Sequence, residues 1–464
     1  MVSVRVEGVS PAEVVIMALG RRRSSHPGEL FVTSADLPQS PGHAFYDRLN
    51  SLLAESGFGR FVEDLCRPHY AGDVGRPSVP PGTYFRMLFV GYFEGIDSQR
   101  GIAWRCADSL WLRAFLAIPA TEASPDHSTL TKIRKRLPEV IHEPVFARVQ
   151  AIAHEKKLLR GQTAGVDSTT LEANAAMRAI VRKDTGEDYK TYLARLAKEA
   201  GIENPTDEDL RRFDRKRKKK TSNEEWVSAT DGDSRIAKMK DGRTHRAYEA
   251  EHAVDPDSGL VLSAAVHPAD PCDAATLVDR LLRAQVNLVR AGLEVEVEEA
   301  VADKGYHKSE TLAACADWGW RTYIPEPKRK KRVWTDKPDA WRVATAANRR
   351  RVKGDRSKRL QKKRSELVER SFAHVCETGG ARRTWRRGRV NVGKRYLVQV
   401  AAVNLGVVMR SLFGVGKPRV LQGAAGTAFA LVLWLWTVLV GWIERWYGPW
   451  AREATPHSRD FADR

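Results

Sequence analysis

The architecture of this 464-residue chain follows from one short segment, Thr163-Ala164-Gly165-Val166-Asp167-Ser168-Thr169-Thr170. Its first residues are small and apolar, which predicts a buried strand that ends in an aspartate and its hydroxyl neighbours. Residues 295–303 form a second apolar-rich stretch, which predicts another strand with an aspartate, Asp303, at its end. Each of the two strands is therefore expected to present a carboxylate at its terminus.

The segments around these strands predict a mixed sheet covered by helices, so the fold class is α/β. A hairpin is expected from a strand over residues 251–255, a turn over 256–259 and a second strand over 260–266. Periodicity then predicts a helix over 274–290, a strand over 321–324, a long helix through Leu367 and Phe372, and a final helix over 396–412.

The N-terminal half predicts small packed helices. The segment 75–81 places prolines before a helix, and apolar residues then recur at helical spacing through 87–93 and 110–116. Residues 124–137 predict a capped helix whose basic face carries Lys132, Arg134 and Arg136. That helix is compatible with helix-turn-helix DNA binding, and equally with a solvated amphipathic helix.

The charge balance favours a polyanionic partner. Lysine and arginine outnumber aspartate and glutamate 77 to 58, for a formal charge of +19 and an isoelectric point near 9.8. Nucleic acid is the leading candidate and an anionic lipid surface is the alternative. Two basic runs, 211–220 and 349–364, are natural phosphate-contacting surfaces, although such runs also occur as solvated loops.

The two strand aspartates and a helical glutamate fit the requirements of phosphodiester chemistry. Two divalent ions roughly 3.5–4 Å apart can activate the attacking oxygen and stabilise the leaving oxygen. Mg²⁺ prefers a few carboxylates from rigid elements. The structural alternative is that Asp167 and Asp303 cap turns or helices, and spacing alone does not choose between Glu366 and Glu369.

Three motifs resemble those of bacterial insertion-sequence DDE transposases. The first is Gly165-Val166-Asp167-Ser168-Thr169-Thr170-Leu171-Glu172-Ala173-Asn174, the second Ala302-Asp303-Lys304-Gly305-Tyr306, and the third Val368-Glu369-Arg370-Ser371-Phe372. The arginine-rich stretch 382–388 and a helix with Val400-Ala401-Ala402-Val403-Asn404-Leu405 follow in the family's order, which selects Glu369 over Glu366. The segments 75–81, 111–116 and 125–130 resemble the helical domain that precedes the catalytic core in these transposases.

The resemblance implies an RNase H-like catalytic core in which Asp167, Asp303 and Glu369 bind two Mg²⁺ ions, with Mn²⁺ as an alternative. It divides the chain into an N-terminal region (1–70), a helical DNA-binding domain (71–160), a catalytic domain (161–412) with a basic insertion around 175–225, and an apolar helical tail (413–464). The expected partner is double-stranded DNA, both terminal inverted repeats and target, bound by a homodimer. The candidate DNA-contacting residues are Lys132, Arg134, Arg136, Arg215, Lys218, Arg350, Arg356, Arg370 and Arg386.

Two positions depart from the family's pattern. Many relatives carry an arginine four residues before the glutamate and a lysine seven after it, where this chain has Ser365 and Cys376. Arg364 and Arg370 are the neighbouring candidates for the first role. The alternatives to an active transposase are a catalytically decayed DNA-binding relative, an RNase H-like nuclease that cleaves without joining, and a membrane-attached DNA-binding protein.

The location of the protein is expected to be cytoplasmic and nucleoid-associated. The five cysteines are scattered and never form a CxxC pair, which argues against disulfides and a zinc site, and no signal peptide is expected. Residues 423–443 carry no charge and are long enough to cross a bilayer, but a buried or partner-facing helix is the preferred interpretation and a membrane is an unlikely partner.

Overall fold

The computed structural model describes residues 43–71, 78–119, 121–217, 221–239, 242–270, 273–328 and 333–418. The helices are α1 (Ala44–Glu55), α2 (Phe58–Cys66), α3 (Pro81–Glu94), α4 (Gln99–Asp108), α5 (Leu110–Phe115), α6 (His127–Arg136), α7 (His142–Glu155), α8 (Tyr189–Glu199), α9 (Asp207–Lys216), α10 (Asp273–Arg290), α11 (Ser309–Asp317), α12 (Asp339–Val352), α13 (Asp355–Ala373) and α14 (Arg389–Phe413). The strands are β1 (Thr163–Glu172), β2 (Ile180–Arg182), β3 (Trp226–Ser228), β4 (Arg235–Lys238), β5 (Thr244–Val254), β6 (Val261–Pro268), β7 (Glu299–Val301) and β8 (Arg321–Tyr323). The predicted α/β class, with helices at both ends of the described chain, is confirmed.

Helices α1 to α7 pack around aromatic side chains. Pro81 begins α3, as the proline-rich segment predicts. The first N–H groups of a helix have no acceptor within it, so proline, which has no N–H, loses no hydrogen bond there. Asp126 caps α6 by accepting a hydrogen bond from Thr129 N at 2.8 Å. Phe45 of α1 packs edge-on against Phe93 of α3, so helices before residue 71 share the core of those after it.

The main sheet is mixed, as predicted. Its strand order is β4-β5-β1-β7-β8, with β6 also paired to β5. The strands β1, β7 and β8 run parallel, whereas β5 is antiparallel to β1, β4 and β6. The hairpin of β5 and β6 lies where the sequence predicts it. Side-chain amides hold β6 to the helices, since Asn404 of α14 and Gln150 of α7 both donate to the carbonyl of Val261.

The two strands that carry the aspartates differ in length from the prediction. The strand β1 does not end at Asp167 but continues to Glu172, because β5 pairs with it over that whole length. Strand β7 covers only Glu299–Val301, and Asp303 follows it in a loop. Pairing with a distant partner strand sets these lengths, and local periodicity carries no information about it.

The basic insertion folds around its own small core. Strands β2 and β3 pair with each other, and Leu193, Ala197 and Leu210 bring α8 and α9 together. A capping box starts α9, in which Thr206 and Asp209 satisfy each other's backbone N–H groups. Helix α8 includes residue 193, and Thr206 is the N-cap of α9.

The last described helix, α14, lies in the interior of the protein. Its length and mean hydropathy would allow it to cross a membrane, but 72% of its apolar stretch is buried inside the structure. That burial is typical of the core helix of a soluble domain, and such a helix is weak evidence for a membrane span. The predicted apolar segment 423–443 lies outside the described residues.

Candidate active site

Asp167 lies in the middle of the sheet, on the strand that joins its parallel and antiparallel halves. On one side its register partner is His252 of β5. On the other side the parallel pairing of β1 with β7 stops at Gly165 and Val301, so Asp167 follows the last paired residue. One of its carboxylate oxygens, Oδ1, accepts a hydrogen bond from Ser168 N at 2.9 Å. The break in pairing leaves the Asp167 side chain partly exposed beside β7.

Asp303 occupies the corresponding position in the loop after β7. Gly165 pairs with Val301 in parallel, and each aspartate lies two residues beyond that pair in its own segment. The carboxylate of Asp303 also caps the following 3₁₀ turn, because its Oδ1 accepts from Gly305 N at 2.7 Å. Asp303 therefore has the capping role that the sequence allows. Only Oδ1 is used for the cap, so Oδ2 can bind another ligand.

Helix α13 brings the third motif against the same strand. At Gly165 an added Cβ would lie 3.2 Å from Arg364 Cγ and 3.3 Å from Val368 Cγ2, so glycine favours this close approach of the helix to the strand. Glu369 follows Val368 and is exposed, and Ser365 donates a hydrogen bond to its Oε1 at 3.4 Å. Glu366 pairs instead with Arg370 at 2.6 Å.

A guanidinium group lies directly on the first aspartate. Arg364 Nη1 donates to Asp167 Oδ2 at 2.6 Å, and the two side chains are 12% and 24% exposed. The sequence names Arg364 and Arg370 as substitutes for the arginine missing at position 365. Only Arg364 reaches an aspartate of the motifs, because Arg370 pairs with Glu366 on its own helix.

The electrostatics of Asp167 reflect both aspartates and the arginine. Burial raises the pKa of the Asp167 carboxyl above its ordinary value, the Arg364 guanidinium lowers that pKa, and the negative charge of Asp303 raises it further. A cation beside Asp167 and Asp303 would offset the repulsion that disfavours ionisation of Asp167. Their oxygens are the donors that a hard divalent ion prefers.

The described part of the chain contains no group of three histidine, cysteine or acidic side chains placed to hold one metal ion. The parallel register places Asp167 near Asp303, close enough for the charge of Asp303 to raise the pKa of Asp167. Glu369 lies on helix α13 and forms no hydrogen bond with either aspartate in the described structure. The donor set fits Mg²⁺ in its chemistry, and Arg364 supplies the positive charge beside Asp167 in this structure.

A buried polar cluster connects the second motif to strand β5. Tyr306 donates a hydrogen bond through its hydroxyl to Glu251 Oε1 at 3.0 Å, and Arg280 pairs with Glu251 Oε2 at 3.1 Å. Glu251 and Arg280 are 1% and 2% exposed. The tyrosine of Asp303-Lys304-Gly305-Tyr306 therefore fixes the turn after Asp303 to strand β5.

The arginine-rich loop, residues 382–388, is attached to the end of β1. Glu172 N donates to the carbonyl of Arg382 at 2.9 Å, and Thr384 N donates to the carbonyl of Glu172 at 2.8 Å. Within the loop Trp385 is 58% exposed, and the Arg383 guanidinium lies 5.0 Å from the centre of its ring. The loop thus lies on the strand that carries Asp167.

Two aspartates from another segment cap the helix that follows this loop. Asp231 Oδ1 accepts from Gly388 N at 3.0 Å and from the Tyr248 hydroxyl at 2.7 Å. Asp233 Oδ2 accepts from Arg389 N at 2.9 Å. Carboxylates favour a helix N-terminus, and this pair was not identified as functional from the sequence. The closely spaced acids around Gly232 are a local signal for it.

We expect Asp231→Ala to lower the free energy of unfolding by about 2–3 kcal/mol, because it leaves the Tyr248 hydroxyl and the Gly388 N–H without their charged acceptor. Asp231 is 3% exposed and Tyr248 is fully buried, so water does not replace the lost bonds. Urea denaturation measures the change. Asp233→Ala is the matched control, and since Asp233 is exposed its loss is expected to cost under about 1 kcal/mol. Equal effects of the two substitutions would contradict this account.

The candidate DNA-contacting residues that the structure describes lie on α6, α9, α12, α13 and the arginine-rich loop. Exposed positions are Lys132 and Arg136 on α6, Arg215 on α9, and Arg350 on α12; Arg134 and Arg386 are half-buried; Lys218 lies outside the described residues. Two of the candidates are already paired. Arg356 holds Glu299 with hydrogen bonds of 2.9 and 2.6 Å, and Arg370 holds Glu366.

The mixed sheet, the helices on its faces and the juxtaposed strand aspartates define an α/β protein with an RNase H-like core. Two family models match the chain: a transposase domain over residues 34–136 and a transposase DDE domain over residues 213–405. The second match includes Asp303 and Glu369, whereas Asp167 lies between the two matched ranges. No match was found among curated proteins or among solved structures. The chain belongs to the insertion-sequence DDE transposases, a family that acts on DNA.

Proposed function

We propose that this transposase cleaves DNA at the ends of an insertion sequence and joins those ends to target DNA, with Asp167, Asp303 and Glu369 as the catalytic acids. The observation that carries the proposal is the parallel register of β1 and β7, which places Asp167 and Asp303 side by side. Helix α13, packed on Gly165 through Arg364 and Val368, also carries Glu369.

The three carboxylates would hold two Mg²⁺ ions, or Mn²⁺ in their place. Bound ions of this kind lower the pKa of an attacking water or 3′-hydroxyl and stabilise the leaving oxygen. The protein's own contribution is rigidity. Asp303 is fixed by its bond to Gly305 N and by Tyr306, and Asp167 is fixed by the pairing of β1 with β5. Ligands held in this way need little reorganisation when charge develops on the phosphate.

DNA contacts are proposed for the exposed basic residues of α6, α9 and α12 and for the arginine-rich loop. Terminal inverted repeats would be recognised by the helical N-terminal part, where α6 carries Lys132 and Arg136. A homodimer on DNA is proposed because the two ends of an element have to be joined together. We place the protein at the nucleoid in the cytoplasm, without a membrane partner.

We expect neutralisation of the exposed basic face of α9 to weaken DNA binding and flatten its salt dependence. The variant is Arg211→Gln with Arg215→Gln and Lys216→Gln, three exposed residues on one helix. Each lost phosphate contact removes about 0.9 from the slope of log K against log salt, so the slope should fall by roughly 2–3. Filter binding or fluorescence anisotropy over a salt series measures it. Arg195→Gln, in the same insertion but paired with Glu187 and Glu199, serves as the control. An unchanged slope in the triple variant would remove α9 from the DNA surface.

A strand-transfer assay tests the proposed function directly. A labelled duplex that carries the element's end is incubated with the protein, Mg²⁺ and a target plasmid. Labelled plasmid supports the proposal. Cleaved but unjoined label would indicate a nuclease, and bound but intact label would indicate a decayed relative.

A further inference from the structure

Both oxygens of the Asp167 carboxylate accept hydrogen bonds from protein groups in this structure. Its Oδ2 accepts from Arg364 Nη1 at 2.6 Å, and its Oδ1 accepts from Ser168 N at 2.9 Å. Both side chains of the ion pair are largely removed from water, at 12% and 24% exposure. A pair in this setting is stronger than an exposed surface pair, because water screens it less.

Arg364 is held in place by a network that reaches the second aspartate's strand. Its Nε donates to Gln361 Oε1 at 3.1 Å. Gln361 in turn donates to the carbonyls of Ala302 at 3.0 Å and Tyr323 at 2.7 Å. Ala302 directly precedes Asp303, and the Arg364 stem packs on Gly165. The guanidinium is therefore built into the space between the two motifs.

We propose that Arg364 is a built-in counter-cation for Asp167, which a divalent ion has to displace from the carboxylate. The inference rests on the proposed function, since it takes Asp167 and Asp303 as ligands of that ion. A guanidinium and a divalent cation compete for the same oxygen, because both satisfy its charge and they repel each other.

The displaced guanidinium has an obvious second partner in a DNA phosphate, whose oxygens offer the same bidentate acceptor geometry as a carboxylate. Binding of DNA would then draw Arg364 from Asp167 and open the site to the ion. Because coupling between two ligands is reciprocal, metal binding would also favour DNA binding. Arg364 acts in this scheme as a positioning residue that couples the two events.

Direct titration of the DNA-free, full-length protein with Mn²⁺, followed by the electron paramagnetic resonance signal of the free ion, tests the competition. Arg364→Met keeps the aliphatic stem on Gly165 and removes the charge, so Mn²⁺ binding is expected to tighten by about five- to tenfold. Arg364→Gln is a second neutral variant for use if the first fails to fold, as judged by circular dichroism. Arg364→Lys keeps a positive charge and should show a smaller gain.

Two controls separate this inference from the function on which it rests. Arg359→Met removes an exposed positive charge from the same helix and should leave Mn²⁺ affinity unchanged. Asp303→Asn should abolish the binding that the Arg364 variants improve. If Asp303-dependent binding exists but is unchanged or weaker in the Arg364 variants, Arg364 only orients Asp167 and the competition is refuted. If no variant shows Asp303-dependent binding, the proposed metal site fails and this inference falls with it.

Discussion

Asp303→Asn is expected to reduce strand transfer by at least about 10³-fold, which corresponds to roughly 4 kcal/mol of lost transition-state stabilisation. The amide cannot supply the negative charge that a divalent ion requires. Its oxygen can still accept the hydrogen bond from Gly305 N, because asparagine and aspartate cap helical turns equally well. The fold is therefore expected to survive the substitution, and the loss of activity would report on the metal site. Quantification of joined product over time measures the effect.

Matched variants show whether the loss is specific. Asp188→Asn changes another capping aspartate, at the start of α8, and should keep activity within about twofold because the cap is preserved. On α13, Glu369→Gln should reduce activity as Asp303→Asn does, whereas Glu366→Gln removes only a surface ion pair with Arg370. Full activity of Asp303→Asn, or equal losses in the two glutamine variants, would contradict the assignment.

The arrangement of strands and helices around the site could be predicted from the sequence because it depends on local patterns. The structure contains the elements that these patterns predict: the strands from apolar stretches, the hairpin from the turn at 256–259, and the helix from the period of 274–290. The two aspartates were located for the same reason, since each follows a buried apolar run. Hydrophobic periodicity is a property of a few neighbouring residues and needs no knowledge of partners.

The features that could not be predicted from the sequence depend on contacts between residues far apart in the chain. Strand β1 continues past Asp167 because β5 pairs with it as far as Glu172, and no residue of β1 encodes that length alone. Likewise, Arg364 and Asp167 are 197 residues apart in the chain, and Asp231 is 157 residues from the N–H group that it caps. Such contacts follow from the packing of α13 and α14 on the sheet, which pattern analysis cannot supply.

Loss of Arg280 from its buried ion pair with Glu251, which binds Tyr306 of the second motif, is expected to be the most destabilising single change outside the hydrophobic core. Arg280→Met removes the guanidinium partner of Glu251 at 1% exposure, which should cost about 3–5 kcal/mol of unfolding free energy. Thr276 and Tyr306 still donate hydrogen bonds to the glutamate but carry no positive charge, and burial lowers the pKa of the neighbouring His267 to about 4. Chemical denaturation measures the loss. Arg283→Met on the same helix is the control, because that side chain is 49% exposed and pairs at the surface, which predicts a cost under about 1 kcal/mol.

The double variant Glu251→Gln with Arg280→Met separates the charge from the packing. Glutamine keeps an oxygen that can accept from Tyr306 and Thr276, so the double variant is expected to regain a large part of the stability that Arg280→Met loses. The same result bears on the site, because Tyr306 fixes the turn that begins at Asp303. If the unpaired charge disturbs that turn, strand transfer should fall in Arg280→Met and recover in the double variant. A double variant no more stable than Arg280→Met would show that Arg280 acts through its packing and not as the counter-charge of Glu251.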